Sequence, residues 1–176
     1  VEFKRPNKIW AIGSLHSNVI SFESIKKYIL SNFEKGDRLI FLGNVIGFRN
    51  KSKKIISEVI KLRFNLMAKF KLKHNDIVFL RGAQEEMFSK LLQLQIAPNP
   101  IEIIEWIFSH GVDQTIISYN LDPEEFINQN GLKEFEKLLD GAMGALNMLW
   151  SQGSKRIQEN EPESHAYFWD YLRSKV

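Results

Sequence analysis

Ile9-Trp10-Ala11-Ile12-Gly13-Ser14-Leu15-His16-Ser17-Asn18 passes from a short apolar run into a small, polar, glycine-bearing segment. That change of character predicts a buried strand over residues 8–13 that empties into a loop. The pattern returns twice: Asp37-Arg38-Leu39-Ile40-Phe41-Leu42-Gly43-Asn44 predicts a strand over 38–43, and Ile77-Val78-Phe79-Leu80-Arg81-Gly82-Ala83-Gln84-Glu85-Glu86 one over 77–81. Between the first two, Phe22, Ile25, Tyr28, Ile29 and Phe33 recur at helical spacing, with Gly36-Asp37 as the stop. Between the second and third, Ile55, Ile56, Val59, Ile60, Arg63, Leu66, Met67 and Phe70 mark another amphipathic helix. Strand, helix, strand, twice over, predicts parallel pairing through right-handed crossovers. The predicted class is α/β in a single domain over 1–176. Residues 1–86 form a small parallel sheet from two β-α-β units, and 87–176 form a mainly helical half.

In that second half, Met87 to Gln95 reads as a helix broken by Ala97-Pro98-Asn99-Pro100. Ile101 to Phe108 is a further helix, and Thr115 to Tyr119 is short and ambiguous. Asp122-Pro123-Glu124-Glu125 is a helix start, with Asp as N-cap and Pro in the first position. Leu132 to Trp150 is long and apolar, loosened by Gly141 and Gly144; Ser151 to Pro162 is a polar connector, and His165 to Leu172 a last helix. Three strands leave a sheet face to cover. Either the helices after Pro100 fold over it or a partner does.

The three strand-to-loop stretches resemble, in order and spacing, the first three signatures of the calcineurin-like metallophosphoesterases, GDxHG, GDxxDRG and GNHE. Their setting is most similar to the bacterial serine/threonine-phosphatase-like members. Trp106-Ile107-Phe108-Ser109-His110-Gly111, running into Thr115-Ile116-Ile117-Ser118-Tyr119, resembles a family segment W-x-x-x-G-G…T-x-x-S-Y. Glu163-Ser164-His165-Ala166-Tyr167-Phe168 resembles the helix before the family's next histidine motif. The match spans most of the chain but corresponds to the N-terminal part of the family domain.

The resemblance implies a two-metal phosphoesterase site, and the residues at its positions depart from it. Family sites hold two divalent ions about 3.5–4 Å apart, so ligand charge must offset a strong repulsion. Here the aspartate of the first motif falls on Ser14, while its histidine is kept as His16, and the motif's last glycine is Ser17. The bridging aspartate falls on Asn44, and the second aspartate and the arginine of that motif on Gly47 and Phe48. The asparagine and histidine of GNHE fall on Ala83 and Gln84, with Glu85 retained. Hard divalent cations require anionic oxygen ligands, and one imidazole among amides and hydroxyls does not supply them. No metal ion and no catalytic residue are therefore expected. A pair such as Mn or Fe/Zn belongs only to the opposing reading of residual phosphoesterase or protein-phosphatase activity.

His16 is expected as a loop residue hydrogen-bonded to backbone. His74, His110 and His165 stand alone, without metal-ligand spacing. Glu85-Glu86 reads as a favourable acidic start to a helix. One other use of the first loop is an anion cradle of backbone N–H groups with Ser14, Ser17, Asn44 and Arg81 around it, binding phosphate or nucleotide without metal.

Composition narrows the classes. Cysteine is absent, which excludes disulfides and thiolate chemistry and fits an intracellular, reducing compartment. No apolar run reaches the roughly 20 residues of a membrane span. A start at Val1 rather than Met is expected of a processed or trimmed chain. Net charge is +3, but residues 1–84 carry 17 Lys and Arg against 6 Asp and Glu, while the remainder carries 7 against 15. The basic excess peaks in Arg49-Asn50-Lys51-Ser52-Lys53-Lys54 and in Lys69-Phe70-Lys71-Leu72-Lys73. The favoured meaning is a solvated helix face balanced by the chain's acidic half, with nucleic acid the less favoured partner. The aromatic weight of Trp106, Trp150, Tyr167, Phe168, Trp169 and Tyr171 is ascribed to packing or an interface. The chain is thus expected to be a pseudophosphatase serving as a structural or interaction subunit, with a protein partner or further copies of itself.

Overall fold

Alternation along the strands decides which face of the sheet is buried. A computed structural model describes residues 5–91, 94 and 97–124. Strands β1 (Ile9–Ile12), β2 (Arg38–Phe41) and β3 (Ile77–Phe79) pair in parallel in the order β1-β2-β3. Trp10 lies opposite Leu39 and Ile12 opposite Phe41; Leu39 and Phe41 in turn face Ile77 and Phe79. Side chains alternate between faces, so these six share one face. All are buried except Trp10, which is half-buried. The rings of Phe41 and Phe79 stack at 4.6 Å across the middle of that face.

Helices α1 (Val19–Asn32) and α2 (Ser52–Phe70) make the two crossovers and touch each other. Phe22 of α1 packs on Phe41, and Arg63 of α2 lies over Phe79 at 5.6 Å, which places both helices on the same face. Two crossovers of one hand produce this arrangement when strands are laid down in sequence order. Asn18 caps α1 by accepting the Ser21 N–H at 3.1 Å. Helix α2 begins at Ser52, three residues before the apolar stripe that marked it, and ends where Lys71 turns left-handed.

Helix α3 (Ala83–Lys90) starts four residues earlier than Met87, because Glu85 reaches back to accept the Gly82 N–H at 2.8 Å. Residues 92, 93, 95 and 96, the end of that expected helix, lie outside the described set. Helices α4 (Pro100–Ser109) and α5 (Asp113–Ile117) follow, and Ile104, Ile107, Val112 and Ile116 join the core. Asp122 accepts the Glu124 N–H at 2.9 Å, the cap expected at that position. The expected elements over 132–150, 151–162 and 165–172 lie outside the described residues.

Helices α4 and α5 pack on each other and α5 on α2. They leave the second sheet face open: Ile9 is 60% and Leu42 51% exposed, Ala11 is exposed, and Ile40, Val78 and Leu80 are half-buried. Among the described residues, then, the helices after Pro100 do not cover this face. No described helix is long and apolar enough to cross a membrane.

The α1–α2 contact carries an ion-pair cluster. Lys26 Nζ donates to Glu58 at 2.7 Å and to Glu23 at 3.1 Å, and Lys61 donates to Glu58 at 2.8 Å. The hydrogen bond from Lys26, then that from Lys61, pulls the Glu58 carboxyl down to about 2. A depressed carboxyl stabilises the fold above its unfolded value, and that contribution is lost as pH falls through the folded one. Melting temperature is therefore expected to drop between about pH 4.5 and pH 2. In Glu58→Gln this acid-dependent drop should be smaller by about 2–4 °C, read by circular dichroism across that window.

Candidate functional site

The C-terminal ends of β1, β2 and β3 point the same way in a parallel sheet, so their three loops meet at one mouth. There the six positions that the resemblance marks are arranged around one another. Asn44 Nδ2 donates to Ser14 Oγ at 3.2 Å, and Asn44 Oδ1 accepts the Gln84 N–H at 3.0 Å. Gln84 is buried beside Gly47, where a Cβ would fall 2.0 Å from Gln84 Oε1. Its Nε2 donates to the His110 carbonyl at 2.9 Å. Ala83 opens α3, and the His16 ring meets Phe48 edge-on at 4.9 Å.

One carboxylate organises these loops. Glu85 is buried, and its Oε2 accepts the N–H groups of Asn44 at 2.7 Å and Gly82 at 2.8 Å. Its Oε1 accepts those of Val45 at 2.7 Å and Ile46 at 3.1 Å. The first loop then hangs on the second. Leu15 and His16 N–H both donate to the Asn44 carbonyl, and Ser17 N–H to that of Val45, each at 2.9 Å. The approach is close enough to need glycine: at Gly43, with φ +98°, a Cβ would lie 2.3 Å from Gly82 N. Elsewhere the loops hold non-glycine residues in the left-handed region, His16, Ser17, Asn44 and Phe48.

Behind the mouth runs a buried chain of hydroxyls. Ser17 Oγ and Ser52 Oγ are 2.7 Å apart, and Ser52 Oγ and Thr115 Oγ1 2.9 Å. Gly111, with φ +87°, accepts the Phe48 N–H at 2.9 Å, so the 106–111 segment closes the same mouth. Trp106 is 53% exposed and lies against the His110 ring at 4.3 Å.

These contacts decide what the site can hold. The donors at the six positions are a hydroxyl, two carboxamides and an imidazole; the Asn44 amide is bonded to Ser14 Oγ and the Gln84 N–H, the Gln84 amide nitrogen to the His110 carbonyl, and Gly47 and Ala83 offer no side-chain ligand. The nearest carboxylate, Glu85, has all its lone pairs toward this mouth engaged by backbone. That donor set does not fit a pair of divalent cations. Among the described residues no group of three or more His, Asp or Glu could hold a metal ion. At the four anion-cradle positions, Ser14 and Asn44 are bonded to each other, the Leu15, His16 and Ser17 N–H groups are donated to loop carbonyls, Ser17 Oγ is bonded to Ser52, and Arg81 is paired with Glu86 at 3.8 Å. The backbone of His16 is hydrogen-bonded as expected, but its ring rests on Phe48 and its Nδ1 is buried without a protein partner among the described residues.

Two features escaped the sequence. Ser52 sits among lysines with nothing to mark it, and its partners Ser17 and Thr115 lie 35 and 63 residues away. Glu85 stands at the third strand-to-loop stretch and suits a helix start, but nothing in the sequence shows that it accepts backbone N–H groups from residues 44–46. Comparison with family models, with curated proteins and with solved structures finds no match to this chain.

Glu85→Gln replaces one acceptor oxygen by an NH2 and strands at least one buried N–H. We expect a loss of about 3 kcal/mol in urea unfolding, against under about 0.5 kcal/mol for the exposed neighbour Glu86→Gln.

Proposed function

We propose that this chain is a catalytically inactive relative of the calcineurin-like metallophosphoesterases, working without metal as a structural or interaction subunit. The observation that carries the reading is the replacement of charge by mutual hydrogen bonding at the mouth. Asn44, Ser14 and Gln84 bond to one another's loops where the family would present anionic ligands. Neutral amides in these places shape the loops while giving two cations no negative charge to offset their repulsion, although Gln84 Oε1 is buried without a hydrogen-bond partner among the described residues. Protein purified with added manganese is expected to retain none after dialysis and to leave p-nitrophenyl phosphate unhydrolysed. Retained metal, with turnover that vanishes in His16→Ala, would establish the opposing enzyme reading.

An interaction role is supported by the sheet face that the described helices leave open. Parallel sheets are ordinarily covered on both sides. This face is mostly apolar from Ile9 to Leu80, and Arg38 on it is paired with Asp76 at 3.5 Å. Two such apolar sheet faces can pack as a two-layer sheet sandwich. A second copy is therefore the occupant proposed. Sedimentation velocity is expected to show self-association of the native chain and a shift to monomer in Leu42→Lys; a native monomer would remove a second copy as the occupant.

A further inference from the structure

We propose that the concave surface between α2 and the end of α5 binds the sugar–phosphate backbone of a single-stranded nucleic acid. This concavity, about 740 Å³ in volume, is lined by Lys51, Lys53, Lys54 and Lys61, with Glu58 between them and Ser118 on the opposite wall. The three lysines of the first basic run, Lys51, Lys53 and Lys54, line this one hollow, while Arg49 of that run donates to the His16 carbonyl at 3.0 Å.

Among the described residues the local charges do not cancel. Glu58 is engaged by Lys26 and Lys61 at 2.7 and 2.8 Å. Lys51, Lys53 and Lys54 have no carboxylate within ion-pair distance among the described residues. Helix stability does not explain them either. The first turn of α2 has no acidic residue and its cap, Lys51, makes no side-chain bond, so three positive charges oppose the helix dipole. The opposite wall is fixed: Lys53 N–H donates to Ser118 Oγ at 3.1 Å, and Lys53 Nζ lies 5.7 Å from the Tyr119 ring centroid.

Shape and residue type select the ligand. Lys51, Lys53 and Lys54 cluster within one turn at the start of α2, a compact attachment point for a few adjacent phosphates, while Lys61 farther along the helix is held by Glu58. The cations are all lysines, point charges without the planar fork that reads base edges. Tyr119 is covered by Lys53 and offers no open ring for a base to stack on. Contact is thus to backbone and indifferent to sequence. Three unpaired lysines predict a slope of log K against log salt of about −2, at about 0.7 per phosphate for single strands.

The test is fluorescence anisotropy of labelled oligothymidylate and oligouridylate with the whole chain. Both are expected to bind at about 50 mM NaCl and to weaken roughly 16-fold by about 200 mM. Lys51→Glu with Lys54→Glu should weaken binding at least roughly tenfold and reduce the slope to about −0.7. Acids in the first turn of α2 favour the helix, so this variant should melt no lower than the native protein. Lys71→Glu with Lys73→Glu, at the far end of α2, should change affinity less than about twofold. The proposal is overturned by no binding at low salt, by equal damage from the far-end variant, or by polyglutamate competing as well as the oligonucleotides, which would assign the groove to an acidic protein.

Discussion

Four backbone N–H groups on a single buried carboxylate hold the loop mouth together, and everything at the candidate site is built on them. A carboxylate inside a protein needs several donors, and a loop turning sharply inside a protein needs acceptors for N–H groups that no strand takes. Glu85 meets both needs at once for residues 44–46 and 82. Once the second loop is fixed, its carbonyls are presented to Leu15, His16 and Ser17. The order of dependence runs from the third loop to the second to the first. Side chains at Ser14, Asn44 and Gln84 decorate that framework and do not create it.

This explains how the mouth keeps its form with amides and hydroxyls around it. Left-handed backbone at His16, Ser17, Asn44 and Phe48 costs roughly 1–2 kcal/mol per residue. A bound ion is one way to offset such strain; here interloop hydrogen bonds and the Ser17–Ser52–Thr115 chain do so. Gln84 also fills the space that Gly47 leaves and ties it to the His110 carbonyl. The result is a mouth that is closed on itself, with amides where the resemblance calls for anions.

What the sequence made legible follows from what each signal measures. Apolar runs ending in glycine located all three strands to within two or three residues, because buried parallel strands are continuous in hydrophobicity. Helical spacing found α1 and α2, yet it missed the first turn of α2, where buried Ser52 replaces an apolar residue. It also missed the first turn of α3, which is organised by a hydrogen bond and not by burial of an apolar stripe. Motif spacing brought Ser14, Asn44 and Gln84 to one place. It could not show that Ser17 Oγ is taken by Ser52, a partner 35 residues away, or that Arg81 pairs with Glu86.

The geometry also separates the two surfaces assigned to interaction. Helices α1 and α2 occupy one side of the sheet, and the hollow between α2 and α5 lies on that side. The exposed apolar positions Ile9, Ala11 and Leu42 belong to the other side. A second copy packed on the sheet therefore does not occlude the lysines, and a polyanion along α2 does not touch the sheet. Pairing two chains through their sheets would place two basic hollows on opposite outer surfaces of one particle. Each copy would then meet a different stretch of a long strand, and avidity would come from the link between copies, with no added contact at either hollow.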